Sequence, residues 1–406
     1  MKLHTLMFGW EYPPHHTGGL GVACQGLVRG LLKNGVHVTL VLPHNQGATE
    51  ENMDVRFPTE EVRTIIQVQS ALQPYDNFEE YAARLNIHNI PREINTLYGP
   101  DLGQAVEQFT AMSVEMTKDI HADVVHSHDW MTFEAGARAA RYHDKPFIAH
   151  IHATELDRTN FSPDPWIAEK ERKGLMAADK VIAVSQYTKN MLTDHYGING
   201  DKINVVYNGH DQKAASTEPV IMSQTGKKKK PIVLFLGRLT IQKNPWQFLE
   251  VAKRVHDYRP DAQFIMAGDG SMLNELVDRA CALGLADNII FTGKVQGKEI
   301  EALYRAADCF VMPSLSEPFG LVALEAIAHG TPVILSKQSG AAEVVEHAYK
   351  VDYWDTDMMA DCLLTILREE PLAMQLQAEA PRVLQRLTWQ NQAGKVSSIY
   401  RDMTQC

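Results

Sequence analysis

Short apolar runs separated by helix-length amphipathic stretches recur from one end of this chain to the other, and no other feature narrows the fold so far. LHTLMFG, HVTLVLP, DVVHSH, PFIAHIH, KVIAVS and INVVYNG come first, and PIVLFLG, AQFIMAG, NIIFTG, CFVMPS and TPVILS follow. Alternation of this kind predicts parallel sheets covered by helices. Between the two sets lies QKAASTEPVIMSQTGKKKK, which has no periodicity and ends in Lys227 to Lys230. It reads as a solvated linker. A chain of 406 residues also exceeds one typical core. The expectation is therefore an α/β protein of two Rossmann-like, doubly wound parallel-sheet domains: 1–215, a linker 216–230, 231–387, and a terminal helix 388–406 beginning near Trp389.

Composition excludes several classes of function. With 50 Asp and Glu against 39 Lys and Arg, the net charge of −11 argues against a nucleic-acid binder and against reliance on an anionic membrane. Any polyanionic ligand must meet locally placed cations. Cys24, Cys281, Cys309, Cys362 and Cys406 are scattered, odd in number and lack metal-ligand spacing, so they read as reduced thiols of a cytoplasmic protein. The opening MKLHTLMFGWEYPP is too short in its apolar run for a signal peptide, and no stretch approaches the ~20 apolar residues of a membrane span. From Pro43 to about Pro100 the rhythm lapses into an insertion carrying Tyr75, Phe78, Tyr81 and Tyr98. It either shapes a binding surface or covers the sheet edge.

Glu317 and Glu325 bracket SEPFGLVALEAIAHG, which enters a helix directly after CFVMPS. Eight residues on a helix are slightly over two turns, so both carboxylates are expected on roughly one face, about 12 Å apart along the axis. That span suits a nucleotide sugar. One carboxylate would hold ribose hydroxyls and the other the sugar, with a diphosphate on the N–H groups of the helix N-terminus between them.

Ligands of doubly wound sheets bind outside the carboxyl ends of strands, which directs attention to the residues after each run. HTGGLGVACQGLVRGLLKNG places Gly18, Gly19 and Gly21 at the opening of a helix with apolar positions Leu20, Cys24, Leu27, Val28 and Leu31. Glycines there serve a close backbone approach to an anion or a plain turn. The dinucleotide fingerprint fails, because Cys24 stands where its third glycine belongs. DVVHSHDW and FIAHIHATELDR set His128, Asp129 and His152 near one sheet edge, where each costs stability unless it finds a partner. A metal held by His126, His128 and His152 is the sharper alternative to hydrogen-bonded rings. Strand alternation is read here as turning those residues to opposite faces, and no further ligand with metal spacing follows, so no metal is expected. In LFLGRLTIQKNPW, Arg238 and Lys243 leave one strand end as two cations able to hold a diphosphate and neutralise a departing nucleotide.

Taken together, these segments resemble the retaining glycosyltransferases of the GT-B fold, in the large group that includes bacterial and archaeal glycogen synthases. The resemblance covers nearly the whole chain. It rests on GWEYPPHHTGGLG, HSHDW, HIHATELDR, ADKVIAVSQYTKNML, VVYNGHD, GRLTIQK, GDG, FTGKV and, above all, SEPFGLVALEAIAHGTPVILSKQSGAAEVV, which is similar to the family's E-x7-E region.

The resemblance implies two domains facing across a cleft, the first on the acceptor side and the second binding the nucleotide sugar, with the terminal helix crossing back onto the first. It also implies roles. Gly18 and Gly19 match the loop whose backbone approaches the donor diphosphate, and Arg238 and Lys243 match the cations that bind it and stabilise the leaving nucleotide. Glu325 matches the ribose-binding carboxylate, Glu317 the acid facing the donor sugar, and Phe319, Gly320 and Leu321 the backbone beside sugar and phosphate. His152 resembles the histidine near the reacting carbon and Asp129 a cleft aspartate, while Val295 matches a base-contacting loop and Asn208 an interdomain asparagine. Asp355 and Asp357 form a lone D-x-D, the metal signature of the other major glycosyltransferase fold, but Asp357 reads more simply as a helix cap.

The implied activity is metal-independent transfer of a hexosyl group, glucosyl by preference, from a nucleoside diphosphate sugar to a hydroxyl acceptor with retention. The resemblance makes UDP- or ADP-glucose the expected donor, with the base left open among UDP, ADP and GDP, and implies no cofactor. One departure stands out: His16 occupies the place where bacterial and plant glycogen and starch synthases carry lysine. HAYKVDYWDTDMMAD and HATELDR nevertheless look closest to glycogen-synthase-like members, which favours an α-glucan acceptor over a lipid-linked or small-molecule one. A phosphorylase or epimerase of the same fold, and a silent sugar-nucleotide sensor, are the rival readings.

Overall fold

The computed structural model describes residues 2–14, 18–43, 50, 53–56, 102–211 and 230–405. Tyr75, Phe78, Tyr81 and Tyr98 of the insertion, His16, and nearly all of the expected linker lie outside the described residues. The chain divides into two compact units. Met1–Glu155, Pro163–Gly209 and Thr388–Cys406 form the first, and Leu156–Ser162 with His210–Leu387 form the second.

The first unit is built on β1 (His4–Phe8), β2 (His37–Val41), β3 (Met53–Arg56), β4 (Val124–His128), β5 (Phe147–Ile151), β6 (Lys180–Ala183) and β7 (Ile203–Val205). They pair in the order β3-β2-β1-β4-β5-β6-β7, and every pairing is parallel. The second unit holds β8 (Ile232–Leu236), β9 (Gln263–Ala267), β10 (Ile289–Gly293), β11 (Cys309–Met312), β12 (Val333–Ser336) and β13 (Tyr349–Val351). Their order is β10-β9-β8-β11-β12-β13, again all parallel. Each apolar run quoted above supplies a strand. Those at the sheet centres are covered on both faces, which is why they read as unbroken hydrophobic stretches.

β3 and β13 are the strands that the rhythm did not announce. Both lie at sheet edges, and β3 alternates half-buried with exposed residues, so MDVR carries no apolar run to be seen. In each sheet the order reverses once, between β1 and β4 in the first and between β8 and β11 in the second. Parallel strands separating at such a point leave a crevice beyond their carboxyl ends, the place where α/β folds bind ligands.

The terminal helix Trp389–Thr404 belongs to the first unit and packs on Gly19–Lys33, the helix that follows β1. Two glycines make that approach possible. A Cβ at Gly26 would sit 2.1 Å from the Trp389 ring, and one at Gly30 would sit 2.5 Å from the Trp389 carbonyl oxygen. Thr388 caps the terminal helix, its hydroxyl accepting from Asn391 N–H at 3.2 Å. At the helix Thr356–Arg368 the cap is Asp355, which accepts from Met358 N–H at 3.0 Å. Asp357, expected in that role, lies in the first turn and pairs with Arg254 at 3.0 Å, because the chain enters the helix two residues earlier than the D-x-D spacing suggested.

Candidate active site

In the second unit β8 ends at Leu236 and passes through Gly237 and Arg238 into a 3-10 turn, Ile241–Lys243. β11 ends at Met312 and passes through Ser314 and Glu317 to the helix Leu321–Ala328. These two loops flank the switch point and are stapled together. Leu315 N–H donates to the Gln242 carbonyl at 3.0 Å, the Gln242 side chain returns a bond to the Ser316 carbonyl at 3.1 Å, and Asn244 Nδ2 donates to the Pro313 carbonyl at 3.2 Å. Lys243 Nζ then reaches Glu317 Oε2 at 2.5 Å, and Ser314 Oγ donates to the same oxygen at 3.2 Å. Glu317 is 6% exposed, so its charge is compensated inside the protein rather than by solvent.

Glu317 is held by its backbone as well. Its N–H donates to Gln338 O at 2.9 Å, and its carbonyl accepts from Gly340 N–H at 3.0 Å. It does not share a helix with Glu325, which corrects the spacing argument. The helix begins only at Leu321, after Gly320 at φ +99° turns the chain in a conformation that side chains avoid. Glu317 is therefore a loop residue set in front of the helix N-terminus, and Glu325 alone lies on the helix. Phe319 is buried and its carbonyl accepts from Ala341 N–H, while Gly320 and Leu321 open the helix, where Ala323 N–H of the first turn donates to the Gly320 carbonyl at 3.0 Å. Glu325 accepts from Tyr304 O–H at 3.1 Å, and burial pushes its carboxyl above the ordinary range. Val295 lies partly buried in the loop after β10, on the same carboxyl edge.

Ser316 also donates to Asp157, a residue of the HATELDR segment that belongs with the second unit although it precedes the middle of the chain. Sequence reasoning named neither Gln242, Ser314, Tyr304 nor Asp157. Only pairing between segments far apart in the chain reveals them.

In the first unit Gly18 is extended, with φ −163°, and stands at the N-cap of the helix that Gly19 begins; a Cβ on Gly18 would meet none of the described residues within 4 Å. The other side of that switch point is β4, ending in His128 and Asp129. Asp129 has φ +56° and ψ 168°, an unusual conformation for a residue with a Cβ. Among the bonds that hold it there, Asp129 N–H donates to His150 O at 2.9 Å, Asp129 Oδ1 accepts from His152 N–H at 2.6 Å, and the Asp129 carbonyl accepts from Thr132 N–H at 3.0 Å. Asn208 is buried just beyond β7, next to the residues where the chain leaves this unit.

The histidines are arranged otherwise than the sequence argument held. Residues two apart on a strand share a face, so His126 and His128 stand side by side on β4, and His150 and His152 match them on and beyond β5. The rings stack, with centroids 4.6 Å apart for the first pair and 4.3 Å for the second. Across the strands His128 Nδ1 lies 2.9 Å from His152 Nε2, and His126 Nε2 lies 3.2 Å from His150 Nδ1. Tyr400 of the terminal helix closes the row at 2.5 Å from His126 Nδ1. Burial lowers the pKa of all four, to about 3 for His126 and His152, which keeps the rings neutral at neutral pH. His150 completes the row, and the doubled H-x-H of HSH and HIH is its signal in the sequence.

The site residues thus form two sets, one at each switch point: Gly18, Gly19, Asp129 and His152 in the first unit, and Arg238, Lys243, Glu317, Phe319, Gly320, Leu321 and Glu325 in the second. Among the described residues no helix is long and apolar enough to cross a membrane.

Residues 17–213 match the family model described as Glycosyltransferase Family 4, and residues 218–383 match that of Glycosyl transferases group 1. An uncharacterised glycosyltransferase of Methanocaldococcus jannaschii is 30% identical over 84% of this chain and 82% of its own length. A glycogen synthase of Mycobacterium tuberculosis is 28% identical over 98% and 94%. The catalytic domain of starch synthase IV from Arabidopsis thaliana, solved bound to ADP and acarbose, superposes with a TM-score of 0.73 at 16% identity and full coverage of both chains. With two doubly wound units, each carrying its polar residues at the switch point, and with these matches along its length, the chain belongs to the group 1 glycosyltransferases of GT-B fold.

Proposed function

We propose that this enzyme moves a glucosyl group from a nucleoside diphosphate glucose to a hydroxyl of an α-glucan, with retention at the anomeric carbon and without a divalent ion in the transfer step. The observation that carries the reading is the Lys243–Glu317 pair at the second unit's switch point, with Arg238 on the same loop and a helix N-terminus directly behind it. Lys243 has three N–H donors and spends one on Glu317, which leaves donors for a diphosphate beside Arg238. Glu317 would accept from hydroxyls of the donor sugar, and Glu325 from the ribose. Val295 would line the base, and the Gly18 and Gly19 backbone would approach the diphosphate.

In the transfer itself the bond between the anomeric carbon and the phosphate oxygen breaks, and the nucleoside diphosphate leaves with the electron pair. The acceptor oxygen bonds to the same face of the carbon, and its proton passes to the departing phosphate oxygen. Arg238 and Lys243 stabilise the charge on the leaving group, a role worth about 3 kcal/mol when such a donor is lost. His152 and Asp129 are the first-unit groups we assign to the sugar side. Asn208 we assign to the junction where the chain passes from one unit to the other. The relative named glycogen synthase supports the α-glucan, and the absence of a long apolar helix among the described residues fits a cytoplasmic enzyme.

The test is transfer from UDP-, ADP- and GDP-glucose to a glucan primer in the presence of chelator, with the product anomer read by NMR. An α-linked product from one of these donors is expected. A β-linked product, or hydrolysis of every donor without transfer to glucan, would overturn the assignment.

A further inference from the structure

The four histidines are more than the proposed reaction uses. Only His152 is assigned to the sugar, yet His126, His128 and His150 are at most 3% exposed and place one ring nitrogen each within 4.8 Å of the others. A buried imidazole normally finds hydrogen bonds for its polar atoms. Here, among the described residues, His128 Nε2, His150 Nε2 and His152 Nδ1 are buried with no hydrogen-bond partner, an expensive arrangement for three atoms in one patch.

The opposite nitrogens are anchored. Tyr400 holds His126 Nδ1 at 2.5 Å, His152 Nε2 holds His128 Nδ1 at 2.9 Å, and His126 Nε2 approaches His150 Nδ1 at 3.2 Å. One ring nitrogen fixed by a neighbour while the other is left for an ion is how metal-ligating histidines are built. A hydrogen-bonded ladder alone explains the anchored nitrogens but leaves the unpartnered ones without a purpose.

We propose that His126, His128 and His150 bind one divalent transition-metal ion of the zinc class. His128 and His150 supply their unpartnered Nε2 atoms. His126 supplies Nε2, exchanging its 3.2 Å contact with His150 Nδ1 for the ion, so the anchors kept in the loaded site are Tyr400 on His126 Nδ1 and His152 on His128 Nδ1. Three neutral imidazoles select zinc, cobalt or nickel over magnesium or calcium, and they leave one coordination position open. The ion's task is to tie β4 to β5 beneath the strand ends that carry Asp129 and His152. It takes no part in glycosyl transfer.

The test uses the full chain made without a polyhistidine tag. Protein equilibrated with Zn²⁺ and passed through a desalting column with a weak chelator should retain roughly one zinc per chain. The Co²⁺-loaded protein should show the intense visible bands of a low-symmetry nitrogen site, and a His126→Gln/His150→Gln variant with unchanged circular dichroism should lose both signals. Should the variant fail to fold, the wild-type metal content and cobalt spectrum decide alone. Retention of no metal by the wild type, or full retention by the folded variant, would overturn the proposal.

Discussion

Lys243 Nζ and Glu317 Oε2 meet at 2.5 Å across the point where the second sheet reverses its strand order. The two residues are 74 positions apart. Their meeting joins the loop after β8 to the loop after β11, and it sets a cation and an anion at the mouth of one crevice. From this pair follows the first prediction.

Lys243→Ala should reduce the turnover number about 10²- to 10³-fold, as loss of a leaving-group donor does elsewhere. It should also destabilise the second unit by about 2 kcal/mol or more, since Glu317 would be left charged and buried without its partner. Steady-state kinetics at 25 °C alongside urea denaturation separate the two effects. An active, fully stable variant would remove Lys243 from the site.

Asp129 offers a test of strain. At φ +56° a glycine is more comfortable than any residue with a Cβ, so Asp129→Gly should be more stable than Asp129→Ala by about 1 kcal/mol. Both should lose activity, because each removes the carboxylate that accepts from His152 N–H at 2.6 Å. Denaturation midpoints of the two variants compared side by side check the first part. Equal midpoints would mean that the backbone stores no strain there.

The buried histidines should make the metal-free protein acid-sensitive. Their folded pKa values lie below the unfolded value of about 6.5, so between the two the unfolded chain binds more protons and stability rises with pH. For His126 and His152, whose folded values lie near 3, this contribution is complete above about pH 6.5 and shrinks as pH falls, by about 1 kcal/mol each between pH 7.5 and 5.5, and His128 and His150 act in the same direction. Glu325, raised by burial, acts in the opposite sense, losing stabilisation as pH climbs above the carboxylate range. Urea midpoints of chelator-treated protein at the two pH values would show the trend, and a flat profile would contradict it.

Two glycines on one stretch of chain should separate packing from binding. Gly26→Ala forces a Cβ to within 2.1 Å of the Trp389 ring and should cost about 1–3 kcal/mol or more. Gly18→Ala meets none of the described residues within 4 Å and should change stability by less than about 0.5 kcal/mol while raising KM for the donor. Thermal melts and donor titrations together test the contrast, and an unchanged KM in the second variant would remove Gly18 from the donor loop.

By itself the sequence determined the architecture. Apolar runs at strand length, alternating with amphipathic helices, leave a parallel sheet as the one arrangement that buries both faces, and the central strands are legible for that reason. Edge strands such as β3 are not, since half their residues face water. The sequence also marked the cations, acids and glycines of the two switch points, because loops after strands are where a doubly wound fold must place them.

What tertiary structure alone decided is which of these groups meet, and from what direction. Counting eight residues put Glu317 and Glu325 on one helix, whereas the turn at Gly320 starts the helix after Glu317 and makes that acid the partner of Lys243. Reading H-x-H as opposite-facing hid a row of four histidines that appears only when β4 and β5 lie in register. Local pattern sets the period of a strand or helix. The contacts that make a site depend on register and loop closure between segments distant in the chain, and those are fixed only when the sheets assemble.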